Sequence, residues 1–186
     1  MKKYKLEVKQ DESPESPRSW DNLGTMVCFH NRYNLGDKTD YRSKDYQSWY
    51  ELKKAIEQNE GEVYILPLYL YDHSGITMST SSFDCRWDSG QVGFIYVSKY
   101  KVLEEYGRDM EAEVIEKYLN SEVETYDQYL TGDVWGYVIY EIETCDKGHE
   151  HENEIDSCWG FFGHDECEKE GNAVIKYLQN KEEIIL

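Results

Sequence analysis

Six residues able to ligate a metal fall within 23 positions: Cys145, His149, His151, Cys158, His164 and Cys167. Thiolate plus imidazole is a zinc ligand set, here spaced C-x3-H-x-H-x6-C-x5-H-x2-C. Pairing of 134–142 with 155–162 as a hairpin would draw residues 145–151 and 158 together. Yet no C-x2-C pair anchors the group, and an acidic loop carrying two histidines binds metal weakly. The six are weak candidates for a metal site, and the sequence implies no cofactor.

A second chemistry-bearing pair is Cys28 and His30, two apart on an expected strand and so on one face. With a carboxylate nearby they would make a thiol nucleophile and its base, although such residues more often belong to a core or its rim. Asp72-His73-Ser74 holds the three triad residue types, but consecutive side chains in a turn diverge. Asp72 and His73, with Asp88 and Gln91, are better read as the lining of a polar pocket or as a loop-fixing hydrogen-bond network. No phosphate-binding glycine loop, dinucleotide fingerprint or H-E-x-x-H motif occurs. The sequence does not read as an enzyme.

Charge carries the larger signal. Residues 1–100 hold 15 acidic and 13 basic side chains, whereas residues 101–186 hold 23 and 7. Nearly all of the net charge of −18 therefore belongs to the C-terminal part of the sequence. Such a surface repels nucleic acid and anionic membrane and attracts proteins that grip phosphates. Within it, Glu113, Glu116, Asn120, Glu124 and Asp127 recur at three- and four-residue steps beside an apolar stripe of Ile115, Leu119, Val123, Tyr126 and Leu130. Carboxylates at such steps lie about 5–6 Å apart, near the through-space spacing of phosphates along a nucleic-acid strand. A solvated helix face is the ordinary reading of such a stripe. The sparse compensation, with Lys117 alone among the stripe and Glu141 and Glu143 extending it, favours a basic partner.

The elements that must position these residues follow from period and punctuation. Strands are expected at 4–8, 24–30, 63–71, 91–97, 134–142 and 155–162. Helices are expected at 45–59, 101–106, 109–130 and 165–181. Pro67 inside an apolar strand predicts an edge or a bulge, and 79–82 reads as a polar loop. The order of elements predicts an α+β fold, a mainly antiparallel sheet with three to four helices, in one compact domain spanning 1–186. Seventeen Tyr, five Trp and five Phe supply apolar area to a chain with 31% charged residues. The start MKKYKLEVKQ lacks the apolar stretch of a signal peptide, no run reaches membrane-spanning length, and five Cys form no disulfide framework. A cytosolic setting with reduced thiols is expected.

Three stretches carry a resemblance. They are 16–30 (SPRSWDNLGTMVCFH) with 32–37 (RYNLGD), then 66–75 (LPLYLYDHSG) with 87–93 (WDSGQVG), then 126–136 (YDQYLTGDVWG) with 156–163 (DSCWGFFG). Together they resemble a family of acidic proteins encoded by phages and other mobile elements. The resemblance implies an accessory protein of the host cytoplasm and no catalytic residue. Combined with the acidic surface, it leads to the expectation of a non-enzymatic anti-defence inhibitor. Its DNA-mimicking carboxylates, Glu113, Glu116, Glu124, Asp127, Glu141 and Glu143, would bind a basic nucleic-acid-binding host protein such as an RNA-guided CRISPR nuclease or a restriction enzyme. The alternatives are a small-ligand or zinc module at Asp72/His73/Asp88 or the Cys/His cluster, and a thiol enzyme using Cys28 and His30.

Overall fold

A computed structural model describes residues 2–185, with side chains described through residue 181. Among these the backbone forms seven strands and four α-helices, and every strand pairing is antiparallel. The α+β class with a mainly antiparallel arrangement is thus observed, in two sheets rather than one. Contacts divide the chain into a terminal unit, Met1–Glu15 with Gly132–Leu186, and a central unit, Ser16–Thr131. No helix of the described residues is long and apolar enough to cross a membrane.

The central unit contains β2 (Thr25–Cys28), β3 (Val63–Asp72), β4 (Ile76–Ser79) and β5 (Ser89–Ser98), ordered β2-β5-β3-β4. Its helices are α1 (Trp49–Glu60), α2 (Lys99–Tyr106) and α3 (Ala112–Thr131). Alternation along the strands sends Met26, Leu68, Leu70, Ile95 and Val97 into one core with Ile115, Leu119, Val123 and Tyr126 of α3. Val27, Phe94 and Tyr96 enter a second core with Leu52 and Ile56 of α1. These opposite-facing sets follow from the two-residue strand period. Caps fix the helix ends: the Ser48 and Ser98 hydroxyls accept the N–H groups of Glu51 and Lys101, and Gly107 ends α2 in a left-handed conformation.

Pro67 lies where β3 is locally an edge, and the nearest bulge belongs to the partner strand β5. Strand β4 pairs only with residues 69–72 of β3, leaving Pro67 with a neighbour on the β5 side alone, and a register shift lies between Leu68 and Tyr69. That shift skips Val92, which turns into the α3 core out of alternation.

In the terminal unit, β1 (Lys3–Gln10), β6 (Val134–Thr144) and β7 (Glu150–Phe162) form a three-stranded sheet with β6 central. Helix α4 (His164–Ile185) covers one face. Tyr137, Ile139 and Cys167 form its buried centre, closed by Leu6, Val8, Val174 and Ile175. The polar segment 143–154, expected as a loop, instead continues both strands and turns over 145–149. Ion pairs accompany this extension: Lys3 and Lys5 of β1 reach past the central strand β6 to Glu150 at 2.8 Å and Glu152 at 2.9 Å on β7.

Candidate functional site

The six metal candidates are not brought together. Cys167 is buried in the terminal core, Cys158 is exposed on β7, and the His164 ring meets Trp135 edge-on at 4.9 Å. Cys145 and His149 close the turn between β6 and β7 through a backbone hydrogen bond of 2.9 Å. Among the described residues no group of three or more His, Cys, Asp or Glu is placed to hold a metal ion.

Cys28 and His30 are separated in function as well. Burial, reinforced by Asp37, pushes the Cys28 thiol up to about 12, so it stays protonated and non-nucleophilic at physiological pH. Cys28 lines a cleft with Gly36 and Asp37, while His30 lines a different one with Asp72 and Asp88. His30 Nδ1 accepts the backbone N–H groups of Arg32 (3.3 Å) and Tyr33 (3.2 Å). These bonds tie the ring to its own loop.

Three of the four residues expected at a polar pocket fall at one cleft, and His73 is not among its lining residues. Asp72, Asp88, Gln91 and His30 line one cleft of about 370 Å³ in the central unit, and His73 Nδ1 stands 3.4 Å from Asp88 Oδ2. The Asp72 N–H donates to the Asp88 carbonyl at 2.7 Å, tying β3 to the start of β5. Asp72 is also ion-paired with Arg32, and the Gln91 amide donates to the Gly93 carbonyl at 3.2 Å. Most of these groups are thus engaged in holding loops. Trp87, at the rim, is 96% exposed.

The acidic stripe of α3 divides in two. Glu113, Glu116 and Glu124 are exposed and have no ion-pair partner among the described residues. Asp127 is half-buried and accepts the Met78 N–H at 2.6 Å, and Asn120 accepts the Thr80 hydroxyl at 2.5 Å. Asp127 satisfies the backbone of β4, an edge strand absent from the expected elements, and Asn120 the hydroxyl of the residue that follows it. Desolvation raises the Asp127 carboxyl, only partly opposed by the Met78 N–H. Asp127 is therefore a packing residue, and the carboxylate row is broken between Glu116 and Glu124, about 12 Å along the helix. In the terminal unit, Glu141 is mostly buried and paired with Lys2 at 2.8 Å, whereas Glu143 is exposed.

The densest unpaired charge lies slightly earlier. Between Glu104 and Glu116 the chain has six carboxylates (Glu104, Glu105, Asp109, Glu111, Glu113, Glu116) and one cation, Arg108. All six are exposed, and none forms an ion pair among the described residues. Four of them lie outside the expected contact set. Local acid density, rather than helical period, is the sequence signal that marks them.

One organised polar centre has no local signature in the sequence. Arg18, its side chain 5% exposed, donates Nε and Nη2 to the two oxygens of Asp37 (2.9 and 2.7 Å) and Nη1 to Glu122 (2.9 Å). Glu122 also accepts the N–H groups of Leu23 (2.8 Å) and Gly24 (3.0 Å), and Asp37 accepts that of Met26 (2.8 Å). Burial works against the guanidinium charge, but the bonds to Asp37 and Glu122 outweigh it and raise the Arg18 pKa. The partners lie 19 and 104 residues away. The centre locks the loop before β2 onto α3.

Comparison with protein-family models, curated proteins and solved structures finds no match to this chain.

Proposed function

We propose that the chain is a non-enzymatic binding protein whose acidic surface occupies the phosphate-gripping surface of a basic, nucleic-acid-binding protein. In the mobile-element setting that the motif resemblance implies, it acts as an anti-defence inhibitor in the host cytoplasm. Its target there is an RNA-guided nuclease or a restriction enzyme. The observation that carries this reading is the run of six exposed, unpaired carboxylates from Glu104 to Glu116. Carboxylates without intramolecular cations repel one another and raise the local negative potential, and a basic partner relieves both. Helix α3 supplies rigidity, because Ile115, Leu119, Val123 and Tyr126 fix its rotation. The contact set is Glu104, Glu105, Asp109, Glu111, Glu113 and Glu116, with Glu124 as its extension.

Affinity capture from a nuclease-treated host lysate, eluted first with salt and then with competing duplex DNA, tests the proposal. A nucleic-acid-binding protein released by both eluents, and not captured by a Glu111→Lys/Glu113→Lys/Glu116→Lys variant, supports it. Capture that ignores salt, or that survives the triple reversal, overturns it.

A second reading, a small-ligand module, draws on the convergence of His30, Asp72, Asp88 and Gln91 around one cleft. A thermal shift with small polar ligands that disappears on Asp88→Asn would favour it over the acidic surface.

A further inference from the structure

Beside the unpaired carboxylates lies a cleft of about 370 Å³ between the loop 17–23 and helices α2 and α3. Three partly exposed aromatic side chains line it: Trp20 is 47% exposed, Tyr106 40% and Tyr118 41%. The two tyrosines, one from α2 and one from α3, are stacked with centroids 6.0 Å apart and planes 11° from parallel. Exposed Asp21 and Glu105 also line the cleft. Desolvation, then the neighbouring Tyr118 and the charges of Glu105 and Glu122, raise the Tyr106 phenol. The cation already in the cleft, Lys101, is turned to its wall, donating to the Asn22 carbonyl at 2.7 Å.

The walls are firm. Pro17 is buried, the Asn22 amide holds the carbonyls of Pro17 and Trp20 (both 2.9 Å), and Glu122 fastens Leu23 and Gly24 to α3. The Arg18 centre thus shapes this cleft and uses the Glu122 carboxylate internally, leaving Asp21 and Glu105 to face a ligand.

We infer that this cleft is the seat of an arginine side chain from the basic partner, with the flat guanidinium stacked on the Trp20/Tyr106/Tyr118 faces and its charge met by Asp21 and Glu105. Aromatic faces attract cations, and a planar guanidinium stacks where an ammonium cannot. The inference rests on the acidic-surface reading and names the anchor within it. Glu105 and Tyr106 are neighbours in sequence, so the carboxylate run and the cleft form one surface.

The test titrates the purified chain with tetra-arginine and with tetra-lysine peptides, which carry equal charge, and follows the Trp indole resonances by NMR. Arginine is expected to shift the Trp20 indole, identified by its loss in Trp20→Phe, and to bind about fivefold more tightly than lysine. A Tyr106→Ala/Tyr118→Ala variant changes no charge and alters exposed rings, with its fold checked by circular dichroism. It should abolish the arginine preference while leaving lysine binding unchanged. Equal binding of the two peptides, or an arginine preference that survives the double substitution, overturns the inference. Partner capture separates the two proposals. If the tyrosine variant captures the partner as well as wild type while the triple lysine variant does not, the cleft is excluded and the acidic surface stands. If neither variant loses the partner, both are excluded.

Discussion

The two units treat their carboxylates differently. The terminal unit is the more acidic for its size, with 18 acidic and 8 basic residues against 20 and 12 in the larger central unit. Yet its strand acids are partly answered: Lys2, Lys3 and Lys5 of the N-terminal segment reach Glu141, Glu150 and Glu152 across the sheet. The central unit buries a compensated centre, Asp37–Arg18–Glu122, and among the described residues leaves the carboxylates from Glu104 to Glu116 without an ion pair. Excess charge in sequence and unpaired charge in space are therefore different quantities. The break at residue 100, which divides the sequence by charge, matches neither unit boundary, because strand β1 carries its lysines to the acidic strands.

This contrast can be broken at its strongest point first. Arg18→Ala leaves two carboxylates facing each other in a largely buried site and should cost about 3–5 kcal/mol, read as a fall in urea midpoint with unchanged slope. Opposite charges on the terminal sheet are exposed, so a Lys3→Met/Lys5→Met pair should fall at the other end of the scale.

The glycines offer a parallel contrast. A Cβ at Gly93 would lie 1.8 Å from the Val27 carbonyl oxygen, whereas one at Gly136 would meet the Trp159 ring at 2.1 Å. Backbone in a sheet cannot yield, but Trp159 is 47% exposed and can swing away. Gly93→Ala should therefore cost about 3 kcal/mol and Gly136→Ala about 1 kcal/mol, compared by thermal denaturation.

Asp127 sharpens the distinction between packing and contact acids. Its folded-state carboxyl titrates above the ordinary value of 3.8, so the folded state holds this proton more tightly than the unfolded chain. Stability contributed by that proton is lost as pH rises from the ordinary value through the raised one. Asp127→Asn keeps the acceptor for Met78 and should flatten that part of the stability profile. Asp127→Ala strands the Met78 N–H and should cost about 1 kcal/mol relative to Asp127→Asn at all pH values.

The smallest effect is expected for Lys3→Met/Lys5→Met. Exposed pairs contribute little, so stability should move by less than about 1 kcal/mol. A larger loss would show that the terminal sheet depends on its ion pairs.

Periodicity made the main elements legible. The apolar stripe of α3 and the alternation of β5 identify their buried faces, and both were read from residue types alone. The short strand β4 was not legible, since Ile76–Ser79 is only four residues long and runs into a polar segment. Missing it turned Asp127 into an apparent contact residue. The quoted motifs acquire their meaning only in three dimensions. Gly93 of one motif packs on Val27 of another, and Trp159 covers Gly136. Asp72 bonds Asp88 across two strands. Each is a contact between segments remote in sequence, beyond the reach of local pattern. Three of the four expected pocket residues share one cleft because the Asp72 N–H bonds the Asp88 carbonyl and draws the end of β3 to the start of β5.

The most direct measurement is displacement of labelled duplex DNA from a purified RNA-guided nuclease by two variants with the same change in net charge. One carries Glu111→Lys, Glu113→Lys and Glu116→Lys, and the other Glu150→Lys, Glu152→Lys and Glu154→Lys. The account predicts that the first loses displacement at salt from about 50 mM to about 200 mM, while the second keeps nearly all of it. Equal loss in both, or a greater loss in the second, would contradict the claim that the unpaired carboxylates of the central unit make the contact.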